Sequence, residues 1–307
     1  MESAFTYESC NCCPRACHVN RYQTKGYCQS PAELVAARAA LHPWEEPCIS
    51  GLHGSGTVFF SGCTLRCCFC QNYKISREGF GKAITPNRLA EIFLSLQEQG
   101  AHNINLVTAS QYLPSVLEAL KQAQPDLQIP VVYNCGGYET EAAIEALSPY
   151  VSVWLPDLKY YSSELSARYS GAADYFKAAS AAIQHMIQLA GPPVFEEFTE
   201  NGQTCQLLKR GVIIRHMVLP GQKEDSIRLL QWIHDTLPKK EYLVSLLSQY
   251  TPFYKSADYP ELNRRITSYE YGKVVDAALE LGLCDGFMQE KSSAKEEYTP
   301  PFELEGI

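Results

Sequence analysis

Short apolar runs and helical stripes alternate along most of this chain. From about Thr57 onward, runs rich in β-branched, aromatic and leucine side chains occupy residues 58–60, 104–107, 129–133, 151–155, 212–218 and 243–247. Runs without polar alternation are typical of strands buried on both faces, as in a parallel sheet. Amphipathic segments lie between them. Thr85-Pro86 opens one with an N-cap and a first-turn proline; Leu89, Ile92, Phe93 and Leu96 form its stripe, and Gly100 stops it. The last starts on a capping box, Thr267 with Glu270, and carries Tyr271, Val274, Val275, Ala278 and Leu279 on one face before Gly282.

Strands alternating with helices predict βαβ units and a parallel sheet. Six units are too few for a closed eight-fold barrel. The expected fold is therefore α/β, a partial (β/α)6 barrel with a small Cys-rich N-terminal extension and its site at the carboxyl ends of the strands. Residues 1–50 read as a separate Cys-rich, metal-binding leader with one short helix near 31–41, and residues 51–285 as the barrel. Residues 286–307, rich in Lys, Glu and Ser with two prolines, read as a loosely held tail.

Composition narrows the class. With 307 residues, 46% hydrophobic and 20% charged, the chain can bury a sizeable core. No run approaches the length of a membrane-spanning helix, and the first residues lack the basic-then-apolar order of a signal peptide, so a cytoplasmic location is expected. A net charge of −8 argues against broad contact with nucleic acid or anionic membrane.

Thirteen cysteines change the picture more. Without an export signal, clustered cysteines point to metal or redox chemistry rather than disulfides. Cys48, Cys135, Cys205 and Cys284 are scattered and read as small buried hydrophobes. The others fall in the first quarter of the chain. Cys63-Thr-Leu-Arg-Cys67-Cys68-Phe69-Cys70 follows the first strand run, and its Cys63-x3-Cys67-x2-Cys70 spacing presents three thiolates on one loop. Three thiolates leave the fourth iron of a 4Fe–4S cubane open for a cofactor or substrate. The competing reading is a zinc knuckle completed by Cys68 or a distant residue. In the leader, Cys10-x2-Cys13-x3-Cys17-x10-Cys28 supplies four thiolates for a structural metal or second centre. Zinc comes first, an electron-relaying iron–sulfur cluster next, free thiols last, and Cys12 competes with Cys13.

With these motifs the sequence resembles the radical S-adenosylmethionine (SAM) proteins related to pyruvate formate-lyase activating enzyme. The resemblance spans nearly the whole chain. It includes Cys13-Pro-Arg-Ala-Cys17-His-Val-Asn-Arg21, Trp44-Glu-Glu-Pro-Cys48-Ile-Ser-Gly51, Cys70-Gln-Asn72, Leu219-Pro-Gly221 and Ser248-Gln-Tyr-Thr-Pro-Phe-Tyr254. It implies a 4Fe–4S cluster on Cys63, Cys67 and Cys70, with SAM bound at the open iron and Phe69 packed by the adenine. Asn72 and Thr108 would lie near SAM, and Arg215 would approach its carboxylate.

Asn134-Cys135-Gly136-Gly137 stands where those enzymes have an Asp-Thr-Asn-Gly turn, and Leu155-Pro-Asp157-Leu-Lys159 resembles their Asp-Leu-Lys motif. Those turns hold a monovalent cation beside SAM, which places Asn134, Asp157 and Lys159 at the cation or in the vicinity of SAM. Asp157 is a suitable hard ligand and Arg215 can grip a carboxylate in bidentate fashion. Asp157–Lys159 can equally be a structural ion pair. One motif departs: the Gly-Gly-Glu segment that takes the amino group of SAM is replaced by Thr108-Ala109-Ser110-Gln111, whose hydroxyls and amide can accept from the ammonium without charge.

The resemblance further implies a flavodoxin- or ferredoxin-type electron donor and a glycyl-radical protein as substrate. The alternatives are radical modification of a peptide, RNA or small molecule, and a non-catalytic metal-binding interaction protein.

Overall fold

The six apolar runs lie side by side in one sheet. The computed structural model describes residues 5–289 and 300–307. Regular structure begins with β1 (Leu34–His42) and a single helical turn, α1 (Pro47–Ser50). Then β2 (Ser55–Phe60) runs into the cysteine loop, α2 (Tyr73–Ser76) and a short β3 (Lys82–Ile84). Helix and strand next alternate through α3 (Pro86–Glu98), β4 (Ile104–Val107), α4 (Leu113–Ala123), β5 (Val131–Cys135), α5 (Glu141–Leu147) and β6 (Val153–Pro156). Helices α6 (Ser163–Ser170) and α7 (Tyr175–Ala190) precede a hairpin of β7 (Val194–Glu200) and β8 (Gln203–Met217). The series closes with α8 (Lys223–Thr236), β9 (Leu243–Leu247), α9 (Ser268–Glu280) and β10 (Gly286–Met288).

The strand order is β10-β9-β8-β6-β5-β4-β2-β1-β3, with β7 paired to β8 outside this path. From β2 across to β10 every neighbouring pair is parallel; β1 and β3 extend the β2 side antiparallel. Since β3 and β10 remain edges, the sheet is not closed. Strands β2, β4, β5 and β6 are buried along their whole length, which is why they read as unbroken apolar runs. Alternation divides their faces: Val131, Tyr133 and Cys135 join the large core, whereas Val132 faces the opposite side. There α1 packs, its Cys48 and Ile49 forming a small inner core with Val132, Val153, Leu155, Leu208, Ile213 and Leu243. This plug carries the residues just before it to the inside of the sheet.

Three sequence expectations change. Residues 31–41 form no helix; the segment enters β1, paired with β2 from Ala36↔Phe60 to His42↔Ser55. Its alanines favour a helix by propensity, but their small side chains fit the buried flank of β2, and tertiary packing overrides the preference. The leader therefore contributes a strand to the barrel sheet. The described part of the tail is not loose either. Gly286–Met288 pairs with β9, and residues 300–307 return to β1, where Leu304 N–H donates to Ala37 O (3.2 Å) and Ala39 N–H to Glu305 O (2.8 Å). Arg38 pairs with Glu305 at 2.6 Å, and Phe302 sits edge-on to Phe59. Residues 290–299 lie outside the described residues. Third, the strand read at 212–218 is the end of a longer β8 that forms a hairpin with β7, turned by Asn201 and Gly202, both at left-handed φ (51° and 78°). Among the described residues, no helix is long and apolar enough to cross a membrane.

Candidate functional site

The loop after β2 holds the three spaced cysteines against the leader. Gly62 turns the chain into it at φ +81°, and a Cβ there would meet Ser30 Oγ at 2.0 Å and Cys28 O at 3.1 Å, so only glycine fits. Gln111 Nε2 braces the same turn by donating to Ser61 O (3.0 Å) and Gly62 O (3.1 Å). Leu65 N–H donates to Cys63 Sγ (3.4 Å), Ser170 Oγ–H to Cys67 Sγ (3.0 Å), and Cys70 Sγ lies 3.3 Å from Ser76 Oγ. Burial pushes the Cys63 thiol up to about 12 and raises that of Cys70. Cys68 is buried and does not line the cavity described below, its N–H donating to Tyr169 O (2.8 Å).

Cys67, Phe69, Cys70 and Asn72 form one wall of a cavity of about 230 Å³. Asn134, Asp157, Lys159 and Arg215 form its polar floor, Val107, Met217, Leu219 and Leu247 an apolar side, and Pro300 another part of the wall. Phe69 stands edge-on against Tyr250, at 5.8 Å between ring centres. Cys63 and Thr108 are not part of the lining.

Arg215 organises the floor. Its Nε–H donates to Asp157 Oδ1 (3.0 Å), Nη1 to Glu45 Oε2 (3.3 Å), and Nη2 to Asn134 Oδ1. Lys159 Nζ donates to Asp157 Oδ2 (2.5 Å). Burial works to raise the pKa of Asp157, but Lys159 and Arg215 outweigh it and hold the carboxyl below its ordinary value. Glu45, from the leader, also accepts from Asn134 Nδ2 (3.2 Å) and Asn105 Nδ2 (3.1 Å), and burial raises its pKa against the pull of Arg215. Sequence reasoning missed Glu45 as a site residue. Its signal was the acidic pair in Trp44-Glu45-Glu46-Pro47, which would otherwise be an odd prelude to a buried turn.

The turns after β5 and β6 are stapled by one hydroxyl. Tyr175 Oη shares its proton between Gly136 O (2.9 Å) and Asp157 O (2.8 Å) and accepts from Lys159 N–H (3.0 Å).

The segment replacing Gly-Gly-Glu is tied into the fold beside the cavity. Ser110 Oγ–H donates to Glu139 Oε1 (2.5 Å) and accepts from Tyr133 Oη–H (3.2 Å), while Gln111 holds the cysteine loop; none of residues 108–111 reaches the cavity wall. Thr108 sits at φ +58°, a strained setting for a β-branched residue. The Ser110 hydroxyl and the Gln111 amide nitrogen are spent on structure.

Glu139 is 4% exposed, and burial, partly offset by Ser110 and Tyr133, raises its pKa from 4.5 to about 7. The fold keeps this proton to about pH 7 whereas the unfolded chain releases it near 4.5. The stability it contributes is thus fully present below 4.5 and lost as pH rises through 7. Glu139→Gln is expected to stabilise the chain by on the order of 3 kcal/mol at pH 8 and by little at pH 5. Urea unfolding at both pH values checks this; an equal effect at the two would remove the titration.

The leader cysteines are less convergent than the sequence suggests. Among the described residues, no three His, Cys, Asp or Glu side chains gather closely enough to hold one metal ion. Cys10 and Cys12 are in contact, Arg21 Nη1 reaches Cys10 Sγ at 3.8 Å, and Cys17 Sγ lies beside Gly26. Cys10, Cys13, Cys17 and Cys28 are not drawn into a single-ion site. The same finding holds for the loop cysteines. In a cubane each thiolate binds a different iron, so Cys63, Cys67 and Cys70 need not converge on one point.

Comparison with known proteins bears on the fold and the family. An uncharacterised protein of Methanocaldococcus jannaschii is 29% identical over 287 residues, covering 90% of this chain and 76% of that one. Among solved structures, SuiB of Streptococcus suis bound to S-adenosylmethionine aligns with a TM-score of 0.51 at 12% identity, covering 76% of this chain and 50% of that chain, and thus shares the fold. A domain of pyruvate-formate lyase-activating enzyme from Bacteroides vulgatus aligns at a TM-score of 0.42 and 10% identity, covering 58% of this chain and 92% of that domain. Residues 57–233, more than half the chain and including the cysteine loop and the cavity floor from Asn134 to Arg215, match the Radical SAM superfamily, and the chain belongs to that superfamily.

Proposed function

We propose that this chain is a radical SAM enzyme of the activating type, which takes a hydrogen atom from a glycine of a partner protein. The observation that carries the reading is the meeting of soft and hard groups in one cavity: Cys67 and Cys70 line it together with Phe69, Asp157, Lys159 and Arg215. Three sulfur donors suit iron, so Cys63, Cys67 and Cys70 would hold the 4Fe–4S cluster. Arg215 and Lys159 offer positive donors for the carboxylate of SAM, and Phe69 offers a ring for its adenine. Asn72, at the wall next to Cys70, would orient the cofactor from the loop side. Held there and reduced by a flavodoxin- or ferredoxin-type donor, a cluster would supply the one-electron chemistry that cleaves SAM, with these residues binding and orienting the cofactor. Val107, Met217, Leu219 and Leu247 give that space an apolar side.

A protein substrate is favoured by the open sheet and by Trp44, a cavity-lining residue that is 51% exposed, so that the cavity reaches the surface. The test is anaerobic incubation with SAM, a reductant and a glycyl-radical enzyme encoded beside this chain, followed by electron paramagnetic resonance. A glycine-type doublet is the expected result. SAM turnover on a peptide or small metabolite, with no protein radical, would replace the activating reading and leave the radical SAM chemistry standing.

A further inference from the structure

The turns after β5 and β6 resemble a pair that holds a monovalent cation beside SAM in the activating enzymes, yet here their oxygens already have partners. Asp157 Oδ1 is taken by Arg215 Nε (3.0 Å) and Oδ2 by Lys159 Nζ (2.5 Å). Asn134 Oδ1 is taken by Arg215 Nη2. The backbone carbonyls of Gly136 and Asp157 both face Tyr175 Oη. A hard cation needs several oxygens turned toward it at once; these are turned toward nitrogen. The expectation of a cation at Asn134, Asp157 and Lys159 does not fit the side chains present.

We propose that the guanidinium of Arg215 is itself the cation of this site, so that SAM binds without potassium or sodium. This deepens the radical SAM reading and rests on it. A guanidinium is always charged and carries five N–H donors in a fixed plane. Asp157, Glu45 and Asn134 use three of them. The remaining two stay on the terminal nitrogens of a residue that lines the cavity, where a carboxylate can be met. Glu45 is the positioning residue. Brought inside the sheet ahead of the α1 plug, and only 10% exposed, it takes one N–H of Nη1 and helps to fix the plane of the guanidinium. Asp157 and Glu45 together also balance the charges of Arg215 and Lys159 in a site where an unpaired ion would be costly.

The test is anaerobic calorimetric titration of SAM into cluster-loaded protein, in buffers whose sole inorganic or organic cation is potassium, sodium or choline. The Kd is expected to agree within about twofold across the three. A tenfold or greater weakening in choline would overturn the proposal. In Arg215→Met, the oxygens of Asp157, Asn134 and Glu45 are freed. SAM is then expected to bind about tenfold or more weakly in choline and to recover with potassium or sodium. Loss that neither ion rescues, in a variant whose circular dichroism matches the parent, would place the guanidinium elsewhere than in the cation's role. Absence of SAM binding in every buffer would instead bring down the cofactor reading on which the proposal rests.

Discussion

Cys63→Ala, Cys67→Ala and Cys70→Ala are each expected to reduce SAM cleavage to background, a loss of about a thousandfold or more, because a cubane held by two thiolates is poorly retained. The three occupy one loop, and each thiol has its own local partner: Leu65 N–H at Cys63, Ser170 at Cys67 and Ser76 at Cys70. None can move over to replace another without giving up that contact. Cys68→Ala is the control. Its side chain is buried outside the cavity, so the change removes packing worth roughly 1 kcal/mol and leaves cleavage intact. Iron and sulfide analysis, with chromatographic measurement of 5′-deoxyadenosine, reads both effects. Full activity in Cys67→Ala, or loss of the cluster in Cys68→Ala, would reassign the ligands.

Gly137→Ala has the largest expected effect on stability. Gly137 adopts φ +77°, and a Cβ there would stand 2.2 Å from Asp157 O and 3.1 Å from Tyr175 Oη. The nearest obstacle is backbone, which cannot swing aside as a long side chain can. Relief requires moving Asp157, and with it the contacts to Arg215, Lys159 and Tyr175. A loss of about 3 kcal/mol or more follows from the backbone strain and overpacking together, with SAM binding lost as well. Gly272→Ala, in α9 with nothing within 4 Å of its added methyl, should instead gain about 0.5–1 kcal/mol. Denaturant unfolding of the pair checks the contrast; similar values for the two would mean the turn is more compliant than its geometry indicates.

The parts of this fold that the sequence shows plainly are those where local pattern and tertiary setting agree. Parallel strands covered on both faces must be apolar throughout, so β4 and β9 announce themselves. Thr85-Pro86 and the Thr267–Glu270 box cap α3 and α9 as read, each N-cap hydroxyl accepting from the backbone three residues on. Where setting overrides pattern, reading fails. The Ala-rich β1 resembles a helix until β2 lies beside it. The β7–β8 hairpin is mostly exposed, with charged residues along its first strand, so no apolar run marks it despite the Asn-Gly turn. The site divides the same way. Cysteine spacing is a local property and legible; the grip of Glu45 on Arg215 is not, because nothing near either residue indicates the other. Ser110 and Gln111 show the converse: polar residues at a motif's position invite a binding role, and only the buried partners reveal them as braces.

That long-range grip also sets an order of events in synthesis. Arg215 and Glu45 are 170 residues apart, and Arg215 and Asn134 are 81 apart. The cysteine loop, by contrast, is complete once residue 70 has been made. Contacts of such separation form late, after the intervening parallel strands have paired. A nascent chain therefore displays its thiols, and buries no guanidinium against its acidic floor, until β8 has emerged. During that interval the cysteines are open to oxidation and to wrong metals.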